Sequence, residues 1–222
     1  MTSKTLTPIL TINILLLLSL AACSQVITSI NIQKEVQNKN VEVFNREVTL
    51  IEEQAHPGIR LNAALEDGVI WLKDVQFTNG TIEFDTRGKN IKSHSFVGVA
   101  FHGLDNITYE AIYFRPFRFQ ETEESLRSHA VQYIALPTYS WQALREKFPN
   151  KFESSLDPIP DPDDWFHVKV VVTESKISTY VNGNSKPCLV VDKMGKNKTG
   201  SIGFYVADTS GGDFANLKIT KD

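Results

Sequence analysis

The sequence predicts an all-β chain, an antiparallel β-sandwich or jelly roll with one short helical insertion. Three observations carry this. About a dozen short apolar segments follow one another at regular spacing, divided by Gly, Asn, Asp and Pro turn signals. Only one later segment, Pro137–Phe148, has the helical period. The stretch Ser95–Phe119, SFVGVAFHGLDNITYEAIYFRPFRF, alternates strictly, with Val97, Val99 and Phe101 set against Gly98, Ala100 and His102. Such alternation predicts two strands around a turn at Gly103–Asn106, each burying one face and showing the other. The shown face would carry His102, Tyr113, Arg115 and Phe117 and form the floor of a groove.

The elements follow in order. Val41–Phe44 and Val48–Ile51 flank Asn45-Arg46, and His56-Pro57-Gly58 marks a turn before Ile59–Ala63. Val69–Leu72 leads to Val75–Asp85, where Asn79-Gly80 marks a bulge or a strand start. After the central hairpin, the charged segment Gln120–Arg127 reads as an insertion with one helical turn, and His129–Leu136 as a strand. Pro137–Phe148 reads as the helix: Ser140 is an N-cap, and Trp141, Leu144 and Phe148 share a side. A long loop, residues 150–164, carries three prolines and four aspartates. The strands Trp165–Thr173, Lys176–Asn182, Pro187–Asp192, Gly200–Ala207 and Phe214–Thr220 close the domain.

The N-terminus lies outside this pattern. Lys4 precedes an apolar run, Ile9 to Leu20, and then Leu20-Ala21-Ala22-Cys23. An apolar core ending in small residues reads as a secretory signal, too short to span a bilayer. A cysteine directly after them resembles the bacterial lipobox, which implies diacylglyceryl transfer to Cys23 and cleavage before it. The expected organisation is a signal peptide at 1–22, a lipidated cysteine and tether at 23–40, and the sandwich at 41–222. The expected site is the cell envelope, anchored in a membrane; Ser24 after the cysteine favours the outer membrane by resemblance to well-studied sorting signals. With Cys23 taken by lipid, Cys188 has no disulfide partner and reads as a small buried thiol. Cleavage removes one lysine and no acid, moving the net charge from −3 to −4, with neither sign clustered. That excludes a basic face for nucleic acid.

A series of motifs then resembles the concanavalin A-like lectin/glucanase superfamily. It begins with Asn79-Gly80-Thr81-Ile82-Glu83-Phe84-Asp85, Phe96–Phe101 and Tyr113-Phe114-Arg115-Pro116. It continues with Trp165-Phe166-His167-Val168-Lys169, Tyr180-Val181-Asn182-Gly183, Gly200–Phe204 and Phe214–Ile219. The nearest likeness is to laminin-G-like domains and to bacterial family 16 glycoside hydrolase-like or 3-keto-disaccharide hydrolase domains. The resemblance implies a two-sheet jelly roll whose concave face meets carbohydrate. Glucanases of this superfamily use Glu-x-Asp-x-x-Glu. Here Glu83-Phe84-Asp85 is followed by Thr86-Arg87-Gly88, so the third carboxylate is missing. A hydrolase or lyase acting on a di- or oligosaccharide is the alternative, and a pair such as Glu110 facing Asp85 would favour it. A structural role at the envelope is a third reading.

The candidate ligand-binding residues are Arg115, Tyr113, His102, Gln132, Tyr139 and Trp141, with Tyr133 nearby. Arg115 can fork onto a carboxylate or sugar hydroxyls, or serve as a structural cation paired to Glu110. Trp141 and Tyr139 offer flat faces to a sugar ring, or Trp141 pins the helix to the sheet. His102 reads as a packed or turn histidine more readily than as a base. Trp165 reads as core. No pair of histidines has metal-ligand spacing. No cofactor is expected; calcium is the one candidate ion, through Asp157, Asp161, Asp163 and Asp164, whose default reading is a solvated acidic loop.

Overall fold

The computed structural model describes residues 26–222. The lipidation site Cys23 and the signal peptide lie outside the described residues. In chain order the strands are β1 (Val26–Ser29), β2 (Val41–Phe44), β3 (Val48–Glu52), β4 (Pro57–Leu61), β5 (Gly68–Phe77), β6 (Gly80–Arg87), β7 (Val97–Gly103) and β8 (Glu110–Phe114). They continue with β9 (Val131–Ala135), β10 (Glu153–Ser154), β11 (Phe166–Val172), β12 (Lys176–Val181), β13 (Leu189–Asp192), β14 (Gly200–Val206) and β15 (Gly212–Lys221). The described strands form two antiparallel sheets. Sheet A runs β13-β12-β11-β6-β15-β4-β3, and β1 also pairs with β15. Sheet B runs β10-β9-β8-β7-β14-β5-β2. This is the expected two-sheet sandwich.

Alternation places the core between the sheets. Along β6, Ile82, Phe84 and Thr86 are buried while Glu83, Asp85 and Arg87 reach the outer face. Phe204 of sheet B stacks on Phe214 of sheet A at 4.5 Å, and Phe114 meets Phe166 edge-on at 5.2 Å. Fully burying one such ring contributes about 2–3 kcal/mol. Gly80 is where the chain leaves sheet B for sheet A. Its φ is +132°, and a Cβ there would lie 2.0 Å from the Thr220 carbonyl oxygen. Of the readings of Asn79-Gly80, the strand start holds: Val75–Asp85 is split between two strands in different sheets, β6 beginning at Gly80.

Three expectations are corrected. The stretch read as a tether is built into the fold from residue 26 onward. β1 pairs with the second half of β15, Val26 opposite Lys221 and Ser29 opposite Lys218, while β4 pairs with the first half. After it, α1 (Ile32–Gln37) buries Ile32, capped by Asn31. Second, helices are short but more numerous than one. Besides α1 there are α2 (Glu124–Arg127) in the charged insertion, α3 (Trp141–Lys147) where expected, and a 3₁₀ turn at Pro116–Arg118. Third, the central hairpin does not show one face to solvent: every residue of β7 and β8 is buried. Its outer side lies under aromatic packing, Tyr113 and Tyr109 against Tyr205, and Tyr109 against Trp71. Period-two alternation fixes which residues share a face, not what covers that face.

Candidate ligand-binding site

Arg115 owes its place to Pro116. Proline has no N–H for the ladder, so β8 ends at Phe114 and the chain turns into the 3₁₀ helix. Arg115 itself is 6% exposed. Its guanidinium donates to the His129 carbonyl at 2.8 Å, the Tyr113 hydroxyl at 2.8 Å and Gln132 Oε1 at 3.3 Å. Gln132 is itself fixed, donating to the carbonyls of Tyr133 and Phe152. Burial pushes the Tyr113 phenol up to about 12, so it stays neutral.

The helix insertion brings the second wall. Ser140 caps α3 by accepting from the Ala143 N–H. Leu144 is buried and Phe148 half-buried against Phe152, so these residues hold the helix to the sheet. Trp141 is 39% exposed and is not the pin. It lies one turn from Arg145, whose guanidinium sits 4.9 Å from the indole centre. Arg145 in turn donates two bonds, 2.9 and 2.6 Å, to the carboxylate of Glu153 on β10. His129 Nδ1 is 2.8 Å from Glu153 Oε2, off the line of a hydrogen bond. Burial, with Arg145 and Arg115 nearby, holds His129 below the usual histidine range against the pull of Glu153.

Between these walls opens a cavity of about 280 Å³ lined by Ser93, Phe96, Arg115, Phe117, Arg118, His129, Trp141 and Arg145. Of the six sequence candidates, Arg115 and Trp141 line it. Tyr113 and Gln132 sit beneath Arg115, buried, as its hydrogen-bond partners. Tyr139 is half-buried against the core in a tight bridge to Ala135, outside the lining. His102 is elsewhere. A bulge in the pairing of β7 with β14, and a φ of +52°, turn its ring into the interior beside Phe101 and Phe77. There Nε2 meets the Thr78 carbonyl at 2.6 Å, and Nδ1 meets Glu110 Oε1 at 2.7 Å. Glu110 also accepts from the Tyr133 hydroxyl, which accepts the N–H groups of Met194 and Gly195. Glu110 therefore does not serve Arg115, and with both residues fully enclosed this network is part of the core. Sequence reasoning missed Arg145, His129 and Glu153. The four-residue spacing of Trp141 and Arg145 was the available signal for Arg145; the β9–β10 pairing that delivers Glu153 leaves none.

Sheet A carries a second polar patch, on its outer face. Asp85 Oδ1 is 2.7 Å from His167 Nδ1, and its Oδ2 accepts from Asn216 at 2.6 Å. Bonding to Asp85 raises the pKa of His167 above its ordinary value. Asp213 holds both Arg60, at 2.6 and 2.8 Å, and Arg87, at 2.9 and 2.7 Å. Trp165, expected in the core, is half-buried on this face, stacked on His56 at 4.5 Å and donating to Glu53. Asp85 and Glu110 thus occupy different places, one outside sheet A and one between the sheets, and the pair that would favour hydrolysis does not form. The four loop aspartates are exposed; Asp161, Asp163 and Asp164 accept backbone N–H groups instead of converging. Among the described residues no three His, Cys, Asp or Glu side chains are placed to hold a metal ion. The Cys188 thiol is pushed up to about 12 by burial and donates to the Thr179 carbonyl, an unreactive setting.

No family model matches the chain. No curated protein matches it in sequence. Solved structures do match its fold. A carbohydrate-binding module, CBM66, from Bacillus subtilis is 13% identical, over 81% of this chain and 95% of that one, with a TM-score of 0.59. The exoplasmic/lumenal domain of VIP36, bound to Ca2+ and Man3GlcNAc, is 14% identical over 82% and 83%, with a TM-score of 0.51. Domain 4 of AbnA, an extracellular arabinanase from Geobacillus stearothermophilus in complex with arabinotriose, is 11% identical over 82% of each chain, with a TM-score of 0.50. The fold of this chain is that of carbohydrate-binding jelly-roll domains.

Proposed function

We propose that this chain is a lipid-anchored cell-envelope protein that binds carbohydrate in the cavity between Arg115 and Trp141. One observation carries the reading: a half-exposed aromatic, Trp141, lines the same cavity as a cation fixed by three hydrogen bonds. An apolar ring face plus a few fixed polar groups suits a sugar, which has apolar C–H faces and hydroxyl edges. Known relatives in fold bind saccharides, which supports the ligand class without identifying the sugar. The cavity lies just under the range of about 300–1,000 Å³ for drug-sized ligands, so it takes one ring, such as the end of a chain. The anchor rests on the Leu20-Ala21-Ala22-Cys23 sequence, with the outer membrane as its destination.

The test is a glycan array probed with the full chain and with Trp141→Ala. Binding of a saccharide that weakens about tenfold in the variant is expected, since stacking on a large aromatic contributes roughly 1–2 kcal/mol. A folded protein that binds no saccharide overturns the reading. For the anchor, acyl chains on the Cys23 peptide by mass spectrometry, and loss of the protein from membranes in Cys23→Ser, are the expected results.

A further inference from the structure

We infer that the saccharide is acidic, and that its carboxylate or sulfate completes the charge balance at Arg115. The inference rests on the carbohydrate reading above and adds the ligand's charge to it. A buried cation is ordinarily paired with an anion. Arg115 is among the most buried cations of the described residues, yet its hydrogen bonds all go to neutral oxygens: a carbonyl, a phenol and an amide. The nearest carboxylate, Glu153, is 3.9 Å away, beyond hydrogen-bond range, and is held by Arg145 in a two-bond fork. One carboxylate thus serves two guanidinium groups. Arg118, on the rim, is balanced by Glu121 at 2.8 Å. Burial holds the His129 pKa below its ordinary value, against the pull of Glu153. The cavity is left with one positive charge more than it has negative.

A second buried arginine shows that this surplus is not a general habit of the fold. Arg46 also bonds only carbonyls, those of Asn45, Glu66, Ala207 and Ser210. Burial lowers its pKa while Asp67 and Asp208 nearby pull the other way, so it has carboxylates beside it, and it lines no cavity described above. Arg115 has an open space in front of it and an aromatic ring on the far wall. A planar guanidinium there suits the two oxygens of a uronate carboxylate, or those of a sulfate ester.

The experiment is calorimetric titration of the full chain with three disaccharides sharing one linkage. One carries a C6 carboxylate, one a C6 sulfate and one a neutral C6 hydroxyl. At least one acidic sugar is expected to bind about tenfold or more tightly than the neutral one, the scale of a charge-assisted bond. Added salt is expected to narrow that gap. Arg145→Gln releases Glu153 to neutralise Arg115, so the ratio of acidic to neutral affinity should collapse towards one. Glu153→Gln should widen the preference. Should Arg115→Gln fail to fold, Glu153→Gln and Arg145→Gln, the latter at a half-exposed residue, still decide the matter. Equal affinity for acidic and neutral sugars, or an acid preference untouched by Arg145→Gln, overturns the inference and leaves carbohydrate binding standing. Binding of neither class overturns both.

Discussion

On the outer face of sheet A, Arg60 and Arg87 each close onto a carboxylate, Asp213 or Glu53. On the outer face of sheet B, Arg115 hydrogen-bonds no carboxylate; its nearest, Glu153 at 3.9 Å, is bonded by Arg145. Both faces use the same residue types on the same scaffold. The first pairs each arginine with a carboxylate, and where Arg60, Arg87 and Asp213 line a cavity of about 500 Å³ their charges are already paired. The second leaves a charge facing space. The difference is between arginines bonded to carboxylates and an arginine whose hydrogen bonds all go to neutral oxygens.

Four substitutions sharpen or break that contrast. Asp213→Ala removes the carboxylate shared by two arginines. Breaking a buried pair costs about 3–5 kcal/mol, and with Arg60 half in solvent we expect about 2–3 kcal/mol. A fall in the thermal midpoint with unchanged saccharide affinity would mark the sheet A patch as structural; lost affinity would break the contrast. Glu153→Gln leaves Arg115 and Arg145 facing each other without an anion. Denaturant unfolding should show a loss of about 1–2 kcal/mol, again with a buried partner removed from a half-exposed one. Here, however, acid-sugar affinity should hold or rise.

His167→Gln tests the sheet A patch by pH. Asp85 raises the folded-state pKa of His167 above the 6.5 it has when free. Its stabilising effect is therefore fully present below about pH 6.5 and is lost as pH rises through the folded value. The native midpoint should fall across that window more than the variant's, by an amount under about 1 kcal/mol because the ring is 40% exposed. Parallel pH profiles would show that the pair contributes nothing. Lys176→Ala, in the exposed pair with Asp192, should leave the midpoint where it is.

The fold was legible because alternation and turn residues survive without knowledge of partners. β6 reads directly as Ile82, Phe84 and Thr86 inward and Glu83, Asp85 and Arg87 outward. The site was legible only in its two anchors. Arg115 stands out as a cation next to proline in an apolar run, and Trp141 as an aromatic at a helix start. What joins them is not local. Glu153 reaches Arg145 from a two-residue strand 38 positions from Arg115, and His102 leaves the expected face through a bulge and a positive φ. The same applies to β1, Val26-Ile27-Thr28-Ser29, whose β-branched residues sit in a polar stretch and form a strand where β15 pairs with them.

That edge also settles a matter of distance. β15 runs from Gly212, beside Val97 and the end of the sandwich where Arg115 emerges, to Lys221, where β1 begins. Ten residues of strand span about 33 Å. With a lipid on Cys23, only Ser24 and Gln25 would lie between the acylated residue and β1, a leash of about 10 Å at full stretch. On the proposed anchor, the cavity end of the sandwich would lie about 33 Å along β15 from the end nearest the membrane.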